Sequence, residues 1–198
     1  MPSWHQPNAA RCSSRLARYR AEVPDHYDEP LREVAERIDQ TGSLGKSDIG
    51  ALYLWKRIPR GPWCLELLRM PKAKVRAITS ATVQAARLIE MPVPEAAAAA
   101  RSTLYPLPGT KTGDALPSAL ILASAPKRMA VYDIRAHKGL ARVCLPLRNG
   151  HGRYRRYMEL VETCRAELLA HGAGVHTARQ VDLALYWLGG HPAHPGPR

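Results

Sequence analysis

The sequence has few acidic residues for its length, no long apolar run and no cluster of cysteines. No stretch of about 18 apolar residues occurs, so we expect no membrane-spanning helix and no membrane partner. The four cysteines are far apart, which excludes the CxxC spacing of a zinc knuckle or an iron–sulfur site. The histidines form no HExxH pair, and we therefore predict neither a metal site nor a cofactor.

The N-terminal residues also lack the basic flank and apolar stretch of a secretory signal. Cysteines in a chain without such a signal are expected to stay reduced, which is typical of the cytoplasm. The sequence therefore predicts a cytoplasmic protein.

Basic residues dominate the charge of the chain. Among its 198 residues, 29 Lys and Arg stand against 17 Asp and Glu, for a net charge of +12. The hydrophobic content of 45% is high enough for a folded core. A folded protein of this charge most often binds phosphate groups, and nucleic acid is the first partner to consider.

Apolar residues recur at helical spacing along most of the chain, whereas alternating strand patterns are nearly absent. The sequence therefore predicts a compact all-α domain of several helices. We expect one domain over 14–190, a poorly ordered segment over 1–13 and a disordered tail over 191–198. The predicted helical windows are 31–38, 49–56 after a cap at Ser47, 73–89, 95–100, 157–168 and a final helix after the capping-box pattern Thr177–Gln180.

The segment from Ala96 to Leu140 is the most informative part of the sequence. An alanine-rich helix leads into a turn rich in glycine and proline, and an apolar helix follows from about Asp114. Glycines in such a turn allow close approach of the backbone, and the first N–H groups of the next helix can hold a phosphate. A plain helix–helix turn is the alternative. The predicted DNA contacts of the turn are Gly109, Thr110, Lys111, Thr112, Gly113 and Asp114.

Two motifs in this segment resemble those of the helix–hairpin–helix DNA glycosylases. Residues 107–110, Leu-Pro-Gly-Thr, are similar to the opening of that family's hairpin, and residues 131–135, Val-Tyr-Asp-Ile-Arg, to its segment with the catalytic aspartate. Gly113 lies 20 residues before Asp133, which matches the family's spacing from the second hairpin glycine to that aspartate. The resemblance implies a helix–hairpin–helix element, and a catalytic role for Asp133.

The hairpin departs from the family pattern in ways that bear on the reaction. Either Gly113 or Lys111 takes the place of the second glycine, depending on the alignment. The family's lyase lysine would then fall on Ala115 or Gly113, and the cluster-binding cysteines are absent. The resemblance thus implies a monofunctional glycosylase, which hydrolyses the N-glycosidic bond of a modified or damaged base and leaves the strand intact.

Asp133 allows two interpretations from the residues alone. Cleavage of an N-glycosidic bond builds positive charge on the sugar, and a nearby carboxylate stabilises that charge. An aspartate before a helix can equally be an N-cap for a helix that starts at Ile134. A carboxylate that faces an aromatic cavity would favour the catalytic interpretation.

Further candidates are basic and aromatic residues elsewhere in the chain. They are interpreted as contacts to the sugar–phosphate backbone or walls of a base pocket, with solvated charges and core packing as the alternatives. Asp182, within an apolar stretch, is predicted to pair with Arg179 or Arg135. The added backbone contacts are Lys56, Arg57, Arg153, Arg155 and Arg156, with Lys72, Lys74 and Arg76 as weaker candidates, and the pocket residues are Trp55, Tyr132 and Trp187.

Three functions are compatible with these features. The first is a monomeric DNA glycosylase that contacts duplex DNA without regard to sequence. The second is a non-enzymatic DNA-binding protein that keeps the hairpin as a phosphate clamp, and the third is a basic helical scaffold for RNA or an acidic protein.

Overall fold

A computed structural model describes residues 6–174 and 176–190, and it is helical without any strand in those ranges. The all-α prediction is therefore confirmed. A short 3₁₀ turn, Asp25–Asp28, joins the first two helices. The ten helices of the described residues are α1 (Gln6–Glu22), α2 (Glu29–Thr41), α3 (Lys46–Trp55), α4 (Trp63–Arg69), α5 (Lys72–Arg87), α6 (Val93–Thr103), α7 (Ala115–Ser124), α8 (Ile134–Arg142), α9 (Arg153–Ala170) and α10 (Ala178–Gly190).

The predicted capping box at the start of α10 is present in the structure. The Thr177 hydroxyl accepts a hydrogen bond from the Gln180 backbone N–H at 3.2 Å. The Gln180 side-chain oxygen in turn accepts one from the Thr177 N–H at 2.9 Å. Two otherwise unpaired donors are thus satisfied where the helix begins.

The predicted cap at Ser47 is wrong. Helix α3 already begins at Lys46, so Ser47 lies inside its first turn. The backbone N–H of Gly45 donates to the Asp48 carboxylate at 2.7 Å. The carboxylate in the first turn therefore satisfies the N–H of the N-cap residue, Gly45, and Ser47 has no capping role.

The prediction of a poorly ordered N-terminal segment is wrong for residues 6–13, which belong to α1. Ala9, Cys12 and Leu16 are buried at a spacing of three and four residues, so one face of this helix packs against the core. Residues 1–5 and the predicted tail 191–198 lie outside the described residues.

Helix α7 is the centre of the fold. All of its residues from Leu116 to Ser124 are buried, and it contacts α2, α3, α5 and α6. Helix α10 packs along α8 and also contacts α1 and α9. One continuous hydrophobic core runs through both groups of helices.

Helices α8 and α10 approach each other closely because glycines stand where they cross. A Cβ added at Gly139 would overlap the carbonyl of Leu185, and one added at Gly189 would overlap the carbonyl of Arg135. Only glycine permits this backbone contact. The crossing fixes the start of α8, and with it Asp133, against α10.

Candidate active site

An extended, buried segment before α8 sets the position of Asp133. The backbone N–H of Tyr132 donates to the Ser118 hydroxyl of α7 at 2.9 Å. The Tyr154 hydroxyl of α9 donates to the carbonyl of Ala130 at 2.8 Å. Two helices thereby hold the backbone that leads into Asp133.

The Asp133 carboxylate has two hydrogen-bond donors and is charged at neutral pH. One oxygen accepts from the backbone N–H of Arg135 at 2.8 Å, so Asp133 is the N-cap of α8. The other accepts from the Lys56 ammonium at 2.5 Å. Burial raises the pKa of Asp133, but the Lys56 ammonium and the Arg135 N–H outweigh it and bring the pKa below its ordinary value.

A cavity of about 390 Å³ opens beside this carboxylate. Its volume falls in the range of about 300–1,000 Å³ that is usual for small-molecule sites. Asp133 therefore faces an aromatic cavity, in addition to being a helix cap. The predicted site residues that line the cavity are Asp133, Lys56, Arg57, Trp55 and Trp187, and the further aromatic ones are Tyr19, Tyr27 and Tyr186.

A second carboxylate, Asp182, lines the same cavity and is only 1% exposed. It accepts hydrogen bonds from the Tyr157 hydroxyl at 2.8 Å and from the Arg179 guanidinium at 2.5 Å. The predicted arginine partner is thus Arg179, whereas Arg135 donates to the Tyr186 hydroxyl. Burial raises the pKa of Asp182 above its ordinary value, although Arg179 opposes the shift.

The indole of Trp55 is held on its edge and on its face. Its ring N–H donates to the Asp28 carboxylate at 2.9 Å. The Arg179 guanidinium lies over the ring at 5.3 Å from its centre and 3.7 Å from Asp28. These contacts give the cavity an aromatic wall of fixed orientation.

The turn between α6 and α7 borders a second cavity of about 330 Å³. Lys111, Gly113 and residues 152–155 at the start of α9 are among its lining. The backbone is left-handed at Gly109, with φ of 83°, and at Gly113, with φ of 74°. Because Lys111, Thr112 and Gly113 are exposed, this part of the turn is accessible to a ligand.

Two predicted contacts of the turn are instead internal. Thr110 is buried, and its hydroxyl donates to the carbonyl of Leu107 at 2.8 Å. Asp114 is also buried, and its carboxylate accepts from Arg101 at 3.1 Å and from Arg153 at 2.8 Å. The predicted DNA contacts at Thr110 and Asp114 are therefore wrong for the side chains, which stabilise the turn.

The three arginines at the start of α9 also make contacts within the protein. Arg153 pairs with Asp114, as described above. Arg155 donates to Glu95 at 2.6 Å, and Arg156 donates to the carbonyl of His151 at 2.7 Å. Their roles as DNA contacts stay predictions, although each of the three arginines already has a partner within the protein.

Tyr132 does not belong to the lining of the aromatic cavity, so its prediction as a pocket residue is wrong. The chain is extended here, and neighbouring side chains point to opposite sides. Val131 and Asp133 line the cavity, while Tyr132 lies beneath the Arg153 guanidinium and contacts His137 at 3.0 Å through its hydroxyl.

Sequence reasoning missed Tyr19 as a cavity residue and the pairing of Lys56 with Asp133. Tyr19 follows the buried Leu16 by three residues, so the apolar periodicity of α1 could have indicated that Tyr19 lies on the same face of the helix. Lys56 was predicted only as a DNA contact, since 77 residues separate it from Asp133. No local pattern reports such a contact.

No group of three or more His, Cys, Asp and Glu residues that could hold a metal is found within residues 6–174 and 176–190. In the same ranges, no helix has the length and apolarity required to cross a membrane. No family model, curated protein or solved structure matches the chain. We therefore infer the function from the geometry of the site and from the sequence motifs described above.

Proposed function

We propose that this protein is a DNA glycosylase that excises a modified or damaged base from duplex DNA. The observation that carries the proposal is the position of Asp133, a charged carboxylate on the wall of a cavity that Trp55 and Trp187 also line. The motifs that resemble those of the helix–hairpin–helix glycosylases point to the same carboxylate.

Asp133 supplies the charge that the reaction requires. When the bond between C1′ of the sugar and the base breaks, its electron pair leaves with the base and positive charge develops on the sugar. A carboxylate held in place by the Arg135 N–H and the Lys56 ammonium stabilises that charge without reorganisation. A water molecule can then add to C1′, and the proton that it loses neutralises the departed base.

The cavity provides for the extruded base. Flipping a base out of the duplex costs stacking and pairing energy, which aromatic contacts in the pocket offset. Contacts to Asp28 and Arg179 fix the orientation of Trp55 as one wall of this pocket. Arg179, which also lines the cavity and whose side chain is 15% exposed, adds a polar group that can contact the edge of a base.

The hairpin and the overall charge support binding to the DNA backbone. Lys111, Thr112 and Gly113 are exposed before the start of α7, where N–H groups and a cation together attract phosphate. The net charge of +12 favours contacts that do not depend on sequence. A monomer acting on cytoplasmic DNA stays our prediction.

A non-enzymatic DNA-binding protein is the second candidate, and one observation favours it. Asp133 is already a helix cap and an ion-pair partner, and both roles are complete without catalysis. This candidate accounts for the hairpin and the charge, but it gives the aromatic cavity no role.

An assay with a set of duplexes, each with one oxidised, alkylated or deaminated base, separates the two. Enzyme in excess over DNA is incubated with each duplex, and abasic sites are revealed by alkaline cleavage. Base release from at least one duplex is expected. Tight duplex binding without release of any base would favour the binding protein, and a preference for structured RNA would favour the scaffold.

A further inference from the structure

The second cavity, between the turn and the start of α9, has a concentration of positive charge that the proposed active site does not use. Arg101 and Arg153 both donate to the single carboxylate of Asp114, at 3.1 and 2.8 Å. Arg155 also lines the cavity and is paired with an acidic residue, as described above. Lys111 is exposed, and it has no ion-pair partner among the described residues. The lining thus keeps two positive charges that no acidic residue of the described chain balances.

Hydrogen-bond donors of the same cavity lack acceptors within the part of the chain that the structure describes. Arg101 is 9% exposed, and its Nη1 is buried without a hydrogen-bond partner there. Its Nε and Nη2 donate to Asp114 and to two carbonyls of the turn. Helix α9 has 18 residues and begins after Gly152 without a side-chain cap, which leaves N–H groups of its first turn for another acceptor. A buried unpaired donor is costly, and an anionic ligand would remove this cost.

An aromatic ring stands at the edge of this polar cavity. Tyr105 belongs to the lining and is 42% exposed. The Arg101 guanidinium lies 4.9 Å from the centre of the ring, and the exposed part of the ring can stack with a planar group of a ligand. The cavity volume of about 330 Å³ is at the lower end of the range usual for small-molecule sites. Charge, donors and ring together indicate a small anionic ligand with a planar part.

We infer that this cavity binds a nucleotide through a terminal phosphate group. A phosphomonoester carries about −1.5 to −2 charges at neutral pH, which matches the two unbalanced cations. Its oxygens can accept from Lys111, from Arg101 and from the first turn of α9, and its base can stack on Tyr105. A backbone phosphodiester has one charge and two substituents, so it fits less well. This ligand therefore differs from the backbone phosphates that the proposed function assigns to the turn.

An internal role explains only part of the arrangement. The ion pairs of Asp114 hold the turn against α6 and α9, as a structural role requires. One arginine would balance this carboxylate, whereas Arg101, Arg153 and Lys111 together place like charges around one cavity, and like charges repel. A concave surface with a surplus of one sign attracts ions of the opposite sign, so a bound anion would offset that repulsion.

Calorimetric titration of the full-length protein with AMP, at low ionic strength, tests the inference. We expect a dissociation constant below about 1 mM, weaker binding of inorganic phosphate and no binding of adenosine. Adenosine 5′-methylphosphate, a diester with a single charge, should bind at least about tenfold more weakly than AMP. The titrations contain no duplex, so their result is independent of DNA binding and of base release.

Lys111→Gln should weaken AMP binding at least about tenfold, as the loss of one charge-assisted hydrogen bond predicts. Because this side chain is exposed, the substitution should leave the fold intact. Tyr105→Leu should weaken the binding of AMP but not of inorganic phosphate. Lys127→Gln is the matched control, since Lys127 is exposed beyond the opposite end of α7, and it should bind AMP as the unaltered protein does.

The inference is overturned if AMP does not bind, if AMP and adenosine bind equally, or if Lys111→Gln leaves the affinity for AMP unchanged. Equal affinity for AMP and its methyl ester would also overturn it, because the site would then not select a terminal phosphate. A 5′-phosphorylated trinucleotide separates two sources of the same phosphomonoester. Tighter binding than AMP would assign the site to the end of a DNA strand, and weaker binding would assign it to a free nucleotide.

Discussion

At the scale of single residues, the contact between Lys56 and Asp133 determines how the site responds to pH. The Lys56 ammonium is a main cause of the lowered pKa of Asp133, while burial acts in the opposite direction. Lys56→Gln removes the lysine's lowering contribution to this pKa and leaves the effects of burial and of the Arg135 N–H. We therefore expect the acid limb of base release, measured in single turnovers across pH, to move to higher pH in this variant.

The same pair contributes stability with a defined pH dependence. Since the pKa of Asp133 is lower in the folded than in the unfolded chain, its contribution is present above the ordinary aspartate pKa and is lost as pH falls through the folded value. Lys56→Gln should thus reduce the free energy of unfolding at neutral pH and have less effect in acid. This account of the pair would be contradicted if the acid limbs of the variant and the unaltered protein coincide and the difference in their free energies of unfolding does not change with pH.

Arg179 is predicted to matter more for stability than an arginine on the surface. Arg179→Met leaves Asp182 buried without its cation, and removing one partner of a buried pair typically costs about 3–5 kcal/mol. Arg18→Met is the control, because Arg18 pairs with Glu22 on an exposed face, where such pairs contribute about 0.2–1 kcal/mol. Urea unfolding of both variants measures their free energies of unfolding. Equal losses would show that the buried pair of Arg179 and Asp182 stabilises the fold no more than the surface pair.

At the scale of helices, the crossing of α8 and α10 holds the site together. Gly189→Ala would push a methyl group into the carbonyl of Arg135, and overpacking of this kind costs about 1–3 kcal/mol or more. We expect a lower free energy of unfolding and impaired base release, because the methyl group would push α10, which carries Asp182, away from Asp133 at the start of α8.

Gly50→Ala is the control for this prediction. Gly50 lies on the exposed face of α3 with no atom within 4 Å of an added Cβ, so alanine should stabilise the helix by about 0.5–1 kcal/mol. Thermal denaturation of the two variants should shift in opposite directions. An unchanged melting temperature for Gly189→Ala would mean that the helices are less tightly packed than described.

The helices could largely be predicted from the sequence, whereas the site could be predicted only in part. Apolar periodicity and the Thr177 capping box reported α10 because both signals are local. Asp133, Trp55 and Trp187 were predicted individually and do line one cavity. Their arrangement was not predictable, since contacts such as Lys56 to Asp133 form only when distant helices pack. Tyr132 was misassigned because residue type does not reveal which side of an extended segment a side chain occupies.

At the scale of the whole molecule, the net charge of +12 predicts binding to duplex DNA that weakens steeply with salt. Lys111→Gln should lower the affinity, and it should reduce the slope of log affinity against log salt by about 1, as expected for one phosphate contact. Lys127→Gln loses the same charge away from the turn between α6 and α7 and should leave the slope nearly unchanged. Titrations by fluorescence anisotropy at several salt concentrations measure both, and affinity that stays flat with salt would exclude the nucleic-acid interpretation.

The central claim is that the charge of Asp133 drives base excision in the aromatic cavity. Asn caps a helix about as well as Asp, so Asp133→Asn keeps the cap of α8 and removes the charge, and with it the ion pair to Lys56. The decisive measurement is the single-turnover rate of base release by this variant on a duplex that the unaltered protein processes. We predict unchanged DNA affinity and a rate lower by about 10²–10³-fold. A near-normal rate would contradict the claim and leave Asp133 as the cap of α8 alone.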